Sequence, residues 1–501
     1  MVKESARRIK KFHQPRFNIN IYGDFVNESE LLAWKSARIE PSANEFLSSK
    51  SPSSNHALER HESASKMVKE SARRIKKFHQ PRFNINIYIN FSEIDADEFM
   101  RRITLELLKV PPMGKRRVEV VERKGLGHPD TICDSIMNRI SVELCKAYLK
   151  EFGAILHHNA DKSLLVAGGV EHAFNGGKVL EPMKLVFGDR ASYGTKDKTI
   201  DVEAIAEEAA KKWFKENMRF VDPNTHVRYQ NEMKPGSAEL TDIFNRKSGR
   251  FLPANDTSAA VGYAPMSETE RLVLQLEQFY NSKEFKKQHP ESGEDIKVMG
   301  LRDGERLTFT VAMGLVERFI DSEGTYFKRK EEIREAGLEF LRSKTSLKTE
   351  LDMNTLDERG RGVHGVYLTL LGTSAEDGDC GQVGRGNRVN GIIPLNRPGS
   401  SEAAAGKNPV SHIGKIYNLL TFRLAEKIHA KLGNVDEVYV WMLSQIGKPV
   451  DQPHIIAVQI ANEKELDMKA AQPIITDIVE GEMDRLDKFI DSLVYGKIPV
   501  A

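Results

Sequence analysis

Apolar residues recur along this chain at two periods. Ile132, Ile136, Ile140, Leu144 and Tyr148 stand four apart, which stacks them on one face of a helix. Pro129 suits the first turn of that helix, and Gly153 suits the left-handed position just past its end. Helical spacing and composition also predict helices over about 202–217, from near Ser267 through Leu272, Leu274 and Leu276, and over about 411–432. The last has Ile413, Ile416, Leu420, Leu424 and Ile428 as its buried stripe. Strands read differently. Ile103, Leu105 and Leu107 alternate, and Val118, Val120 and Val121 form a β-rich run leading into the first helix. Leu164 to Val166, residues 183–188, EVYVWML and HIIAVQIA read as further strands. GEDIKVMGLRDGERLTFTVAMGLVERF predicts a hairpin turning at Asp303-Gly304, a favoured two-residue turn.

The length of 501 residues allows roughly three domains at the usual size. At 40% hydrophobic and 29% charged, the chain has the composition of an ordinary globular protein. Lys plus Arg (74) nearly balances Asp plus Glu (72), so the global charge implies no partner. No apolar run is long enough to cross a bilayer, and no signal-like apolar core follows the start. Three cysteines without CxxC spacing argue against a zinc cluster, and a cytoplasmic location is the expectation.

The first hundred residues have a texture of their own. MVKESARRIKKFHQPRFNINIY occupies residues 1–22 and recurs unchanged at 67–88. Two identical copies are a duplication rather than a solenoid, which needs at least three repeats. The polar, serine-rich segment between them cannot bury a core and is expected to be disordered. A basic arm touching nucleic acid is one reading; an extension with no role in the chemistry is the favoured one.

The candidate chemistry gathers in a few stretches. In GLGHPDTICD, His128 stands at a helix N-terminus, where unpaired N–H groups and the helix dipole favour an anion. Asp130 beside it suits a magnesium accompanying a polyphosphate; a solvated His with a capping Asp is the plain alternative. His157, His158, Asn159 and Asp161 precede a strand, and neighbouring strand residues face opposite ways. Hydrogen bonding or a hard cation is therefore favoured there over a transition metal. Lys234, Pro235, Gly236 and Ser237 make a tight turn, followed by Ala238 and Glu239; such a turn can hold a nucleotide or be an ordinary loop. Asp256 lies in a small-residue loop, as a hydrogen-bond acceptor for a ligand or a cap for Thr257 and Ser258. Asp295 and Lys297 lie two apart on a strand, so both leave the same face. The glycine-rich stretch 372–408 carries Glu376, Asp377 and Asp379 first and Arg385, Arg388, Arg397 and Lys407 later. Acids for a metal and cations for phosphate suit a magnesium-polyphosphate site. No GxxxxGK[ST] occurs, which excludes a P-loop.

In combination GLGHPD, HHN, GEDIKVMGLR, GTSAEDGDCGQVGRGNRVNG and EAAAGKNPVSHIGKIYN resemble the archaeal-type S-adenosylmethionine synthetases (methionine adenosyltransferases). The resemblance begins at Met100, and residues 1–99 have no counterpart in it. It implies an α+β fold, in which residues 100–501 form three interleaved, similar α/β subdomains about a pseudo-threefold axis. It also implies a homodimer with active sites between subunits, and neither membrane nor nucleic acid as a partner. The implied reaction turns ATP, L-methionine and water into S-adenosylmethionine, phosphate and diphosphate, with Mg2+ and commonly K+. By the same resemblance His128 stabilises the departing oxygen and Asp130 holds magnesium. Asp295 and Lys297 face methionine or nucleotide and phosphate. Asp379 and Arg385 address nucleotide or metal and triphosphate. Lys407 grips phosphate and supports triphosphate hydrolysis, Asp256 contacts methionine or the adenosyl group, and Glu122 joins the polar shell. The nucleotide loop is Lys234-Pro235-Gly236-Ser237 where the family has Gly-x-Gly-Ser, and Ser411 and His412 stand where bacterial relatives have lysine and aspartate.

Overall fold

A computed structural model describes residues 101–500 other than 238–240, 243 and 245–249, together with three short strands before them. Those strands, Lys10–Gln14, Phe17–Tyr22 and Asn86–Tyr88, pair antiparallel. The serine-rich segment expected to be disordered lies outside the described residues, as do Ala238 and Glu239. The chain divides into two units, Met1–Met100 and Arg101–Ala501.

The second unit holds three main sheets, each backed by helices. In order along the chain its strands and helices are as follows. β1 (Ile103–Leu108) and β2 (Val118–Lys124) lead into α1 (Pro129–Phe152). Then come β3 (His158–Val166), the short β4 (Gly169–Glu171) and β5 (Lys178–Glu181), β6 (Met183–Ala191), α2 (Val202–Asn217) and β7 (Val227–Asn231). β8 (Ala259–Ala264), α3 (Glu268–Tyr280), α4 (Lys283–Gln288), β9 (Ser292–Asp303) and β10 (Arg306–Val316) follow. α5 (Glu323–Arg342) and β11 (Lys348–Met353) precede three two-residue strands, β12 (Leu368–Thr369), β13 (Gly381–Gln382) and β14 (Ile393–Pro394). The chain closes with α6 (Ile413–Leu432), β15 (Glu437–Leu443), β16 (Ile455–Ala461), α7 (Met468–Asp484) and α8 (Leu486–Val494).

One sheet runs β7-β6-β3-β13 and packs on α1, which also packs on α2. The middle sheet runs β11-β10-β9-β2-β14, with β12 on β10, and packs on α3 and α5. The third runs β8-β15-β16-β1 over α6 and α7, so the start and end of this unit meet in one sheet. One core cluster, including Ile136, Ile140, Leu165, Leu420 and Val458, joins the first and third sheets. A second, including Val298, Phe309, Leu276 and Tyr280, fills the middle unit. No helix among the described residues is long and apolar enough to cross a membrane.

Local chemistry sets the element ends. Ser267 caps α3 in a reciprocal capping box with Glu270, satisfying two otherwise unpaired N–H groups. Gly153 ends α1 in the left-handed region at φ 71. The hairpin turn falls one residue later than the sequence suggests: Asp303 pairs with Arg306, leaving Gly304 and Glu305 as the turn. Gly304 takes φ 60 there, which a glycine adopts freely. Leu164 to Val166 is not a uniformly buried run, because Leu165 is buried while Leu164 is exposed.

Candidate active site

The loop between β2 and α1 is stitched onto β9. Gly125 N–H donates to Ile296 O (2.8 Å) and Gly127 N–H to Glu294 O (3.0 Å). A Cβ on Gly125 would meet Ile296 O at 2.4 Å, and one on Gly127 would meet Asp295 N at 2.5 Å. Only glycine permits that approach. It sets His128, the N-cap of α1, beside Asp295. The His128 Nδ1 accepts from Asp130 N–H (3.2 Å), which leaves Nε2 free to face outward.

His128, Asp295, Lys297, Tyr367 and Asp379 line a cavity of about 350 Å³. Thr373 and Ser374 close one side. The Thr373 hydroxyl donates to Gly127 O (2.7 Å), and Ser374 donates its N–H (3.0 Å) and hydroxyl (2.5 Å) to Asp295 Oδ2. Burial pushes the Asp295 carboxyl up, and Asp379 adds to that against the opposing charge of His128 and the Ser374 bonds. Lys297 reaches Glu122 across the strand pair (3.1 Å). Asp130 accepts from Gln382 N–H (2.8 Å) and pairs with Lys124 (2.8 Å), whose ammonium also donates to Arg385 O (2.7 Å). The Arg385 side chain is exposed. Asp134, one turn further along α1, accepts from Gly384 and Gly386 N–H, and burial pushes its carboxyl up to about 7.

The structure therefore brings His128, Asp295, Lys297 and Asp379 to one cavity, with Glu122, Asp130 and Arg385 at its edge. It does not bring Lys407 there. Lys407 is buried on β3, between Asp161 (3.0 Å) and Glu402 (3.0 Å). Its main chain is tied to α1 at Ser141, thirteen residues beyond His128 and thus about 20 Å along the helix at 1.5 Å per residue. Burial pushes the Asp161 carboxyl up, but bonds from Asp189, Lys407 and Lys162 outweigh it and hold it well below the usual carboxylate range. Asp189 carries the counter-shift upward, from burial and from Asp161.

Asp256 and the 234–237 turn belong with this second cluster. Asp256 caps Thr257 N–H (2.7 Å), and two residues on the Ser258 hydroxyl donates to Glu402 (2.6 Å). Lys234 bridges to Arg190 beside Asp189, and Arg190 donates to Pro235 O (3.4 Å). A Cβ on Gly236 would meet His157 Nδ1 at 2.4 Å, and that nitrogen is buried without a hydrogen-bond partner.

Around the cavity the donors are carboxylate oxygens, with neither thiolate nor an imidazole cluster, which suits a hard cation such as Mg2+. His172, Glu376 and Asp377 lie close enough together to form a metal set, but they are already committed. His172 hydrogen-bonds Asp377 (3.1 Å) and Glu317 (3.0 Å), which raise it to about 10, so it holds a proton on each nitrogen. Glu376 accepts from Leu370 and Leu371 N–H and the Thr369 hydroxyl. Sequence reasoning passed over Lys124, Glu402, Ser374 and Asp134. Lys124 and Asp130 are six apart across a strand, a loop and a helix, so no periodicity couples them; Glu402 signals only as an acid near Lys407.

Residues 101–497 match the family described as S-adenosylmethionine synthetase (AdoMet synthetase). The S-adenosylmethionine synthase of Pyrococcus furiosus is 43% identical over 401 residues, covering 80% of this chain and 99% of that one. The S-adenosylmethionine synthase of Methanocaldococcus jannaschii is 44% identical over 406 residues, with the same coverage. A probable S-adenosylmethionine synthase of Aquifex aeolicus is 44% identical over 389 residues, covering 77% of this chain and 96% of that one. Among solved structures, an unusual S-adenosylmethionine synthetase from Campylobacter jejuni shares the fold at a TM-score of 0.50 and 16% identity, over 76% of this chain and 94% of that one. With its five motifs in order and the whole of 101–497 matched, this chain belongs to the S-adenosylmethionine synthetase family, in the archaeal-type branch.

Proposed function

We propose that this chain makes S-adenosylmethionine from ATP and L-methionine, releasing phosphate and diphosphate from a bound triphosphate. The observation that carries the reading is the convergence of His128, Asp295 and Lys297 on a cavity at the N-terminus of α1. The methionine sulfur is itself the nucleophile and attacks the ribose 5′ carbon. The chain needs to supply no Ser or Cys for that step. What it must do is neutralise the departing triphosphate with donors already in place. His128 offers a ring nitrogen to the departing oxygen, while Lys297 and the exposed Arg385 meet the phosphates. Asp295 and Asp379 suit the methionine ammonium or the nucleotide. Magnesium, held by Asp130 with Asp379, would supply further charge neutralisation; Lys124 occupies the Asp130 carboxylate in its place. Lys407 grips the product triphosphate and supports its hydrolysis, with Asp256 and the turn at 234–237 completing the substrate shell.

A homodimer accounts for the gap between the two clusters, because one protomer's His128 cavity then meets its partner's Lys407 cluster. The solvent face of the middle sheet supports it. Val118 (45% exposed), Leu301 (41%) and Leu395 (59%) continue outward from the Lys297–Glu122 pair as an apolar surface. A cytoplasmic location is part of the proposal, supported by the unpaired, buried Cys133 and Cys145.

The test is a product assay with ATP, methionine and magnesium for the wild type and His128→Ala. S-adenosylmethionine with matched phosphate and diphosphate is expected from the wild type, and about two to three orders of magnitude less from the variant. Folded wild type that yields no S-adenosylmethionine refutes the reaction. A variant as fast as wild type refutes the role of His128.

A further inference from the structure

The activity leaves one buried amine without a task. Lys415, in the first turn of α6, is 1% exposed. No carboxylate lies within ion-pair distance of it among the described residues. Its Nζ donates to Asn138 Oδ1 (2.8 Å) and Ser141 Oγ (3.4 Å), both on α1. Ser141, also buried, donates its single hydroxyl proton to Lys407 O (3.0 Å). It must then accept from His158 Nε2 (2.8 Å) as well as from Lys415. With its proton on Nε2, His158 accepts at Nδ1 from Asn408 Nδ2 (3.1 Å), which also reaches Leu156 O (3.1 Å). Every donor in this chain of bonds then has an acceptor, provided His158 is neutral and Lys415 carries two N–H groups. Burial is the main reason both stand low, His158 at about 3 and Lys415 at about 7. A third N–H on Lys415 would find no acceptor among the described residues, in a place closed to water.

We propose that Lys415 is a positioning residue for Lys407, acting through Ser141 to fix the main chain from which the Lys407 ammonium projects. The inference rests on the reading of Lys407 as the residue that supports triphosphate hydrolysis. Lys407 is held on one side by the β3 bridge at Asn159. Ser141 supplies the other tie. A displacement of Lys407 by a fraction of an ångström is enough to misplace its ammonium against phosphate oxygens. The groups facing Lys415 are Cys145 of α1, His158 of β3, Lys407 of the preceding loop and His412 at the start of its own helix. Adding a proton to Lys415 sets a second positive charge near Lys407 and a donor that nothing accepts, so the tie weakens as the pH falls below about 7.

The experiment measures hydrolysis of added triphosphate from pH 5.5 to 8.5 by full-length wild type, Lys407→Met, Lys415→Met and Ser141→Ala. Lys407→Met is the control on the underlying reading: undiminished hydrolysis in that variant overturns Lys407's role, and this inference with it. Where Lys407→Met is impaired, Lys415→Met is expected to lose about tenfold to a hundredfold in kcat, with a smaller change in KM and without the wild-type acid limb near pH 7. Ser141→Ala, a small deletion that carries the test if Lys415→Met fails to fold, is expected to lose as much kcat and to flatten the same limb. Wild-type rates in Ser141→Ala overturn the inference. So do wild-type rates in a folded Lys415→Met, or a uniform loss there that keeps the acid limb.

Discussion

His172 shows how a side chain outside the chemistry shapes the site. Its two ring nitrogens bind Asp377, on the cavity loop, and Glu317, at the end of β10. Those two bonds raise it to about 10 against burial. Because the folded value lies above the unfolded 6.5, its stabilisation is complete below about pH 6.5 and is lost as the pH rises through about 10. His172→Gln is therefore expected to lower the urea midpoint at pH 7, with the gap to wild type closing near pH 10. A gap that does not change with pH would contradict the clamp. His128 was legible from GHPD alone, since a proline in the first turn fixes the residue before it as a cap. His172 was not, because both of its partners are more than a hundred residues away in sequence.

At the scale of elements, α6 and α7 are joined by a single acid. Glu482, 2% exposed near the end of α7, accepts from Arg423 (2.6 Å) and Lys427 (2.6 Å) of α6 and from Arg485 (2.9 Å). Burial pushes its carboxyl up, but the three cations outweigh that and hold it at about 2. Its contribution is present above about 4.5 and is lost as the pH falls toward about 2. Glu482→Gln is expected to cost about 1–2 kcal/mol at pH 7, less than a fully buried pair because the cations are half-exposed. Chemical denaturation reads this directly, and a loss that persists undiminished at pH 2.5 would refute it. The helices themselves were legible: α1 and α6 follow their apolar spacing, and α2 spans the expected residues. The hairpin turn shifted by one residue because pairing of β9 with β10, rather than the Asp-Gly dipeptide, fixes the register.

For the whole molecule, the distance between the two clusters makes a prediction that one chain alone would not meet. Co-expressed His128→Ala and Lys407→Met chains, each inactive by itself, should together recover about a quarter of wild-type activity if each site takes His128 from one protomer and Lys407 from the other. Half of the dimers are then mixed, and one of their two sites is intact. Recovery near zero, with mixed dimers present, would mean that both residues serve the same site from one chain.

The sequence by itself determined the helices and strands, the cap at His128, the absence of a P-loop, and the set of motifs that marks the family. These are local facts: periodicity, caps and short patterns depend on residues a few positions apart. Only the tertiary structure decided that Asp130 is paired with Lys124 and that Asp295 is held by Ser374. It alone separated Lys407 from the His128 cavity and buried Lys415 without an acid. These depend on which residues remote in sequence a sheet and a helix bring within about 3 Å, and on how much water is excluded when they do.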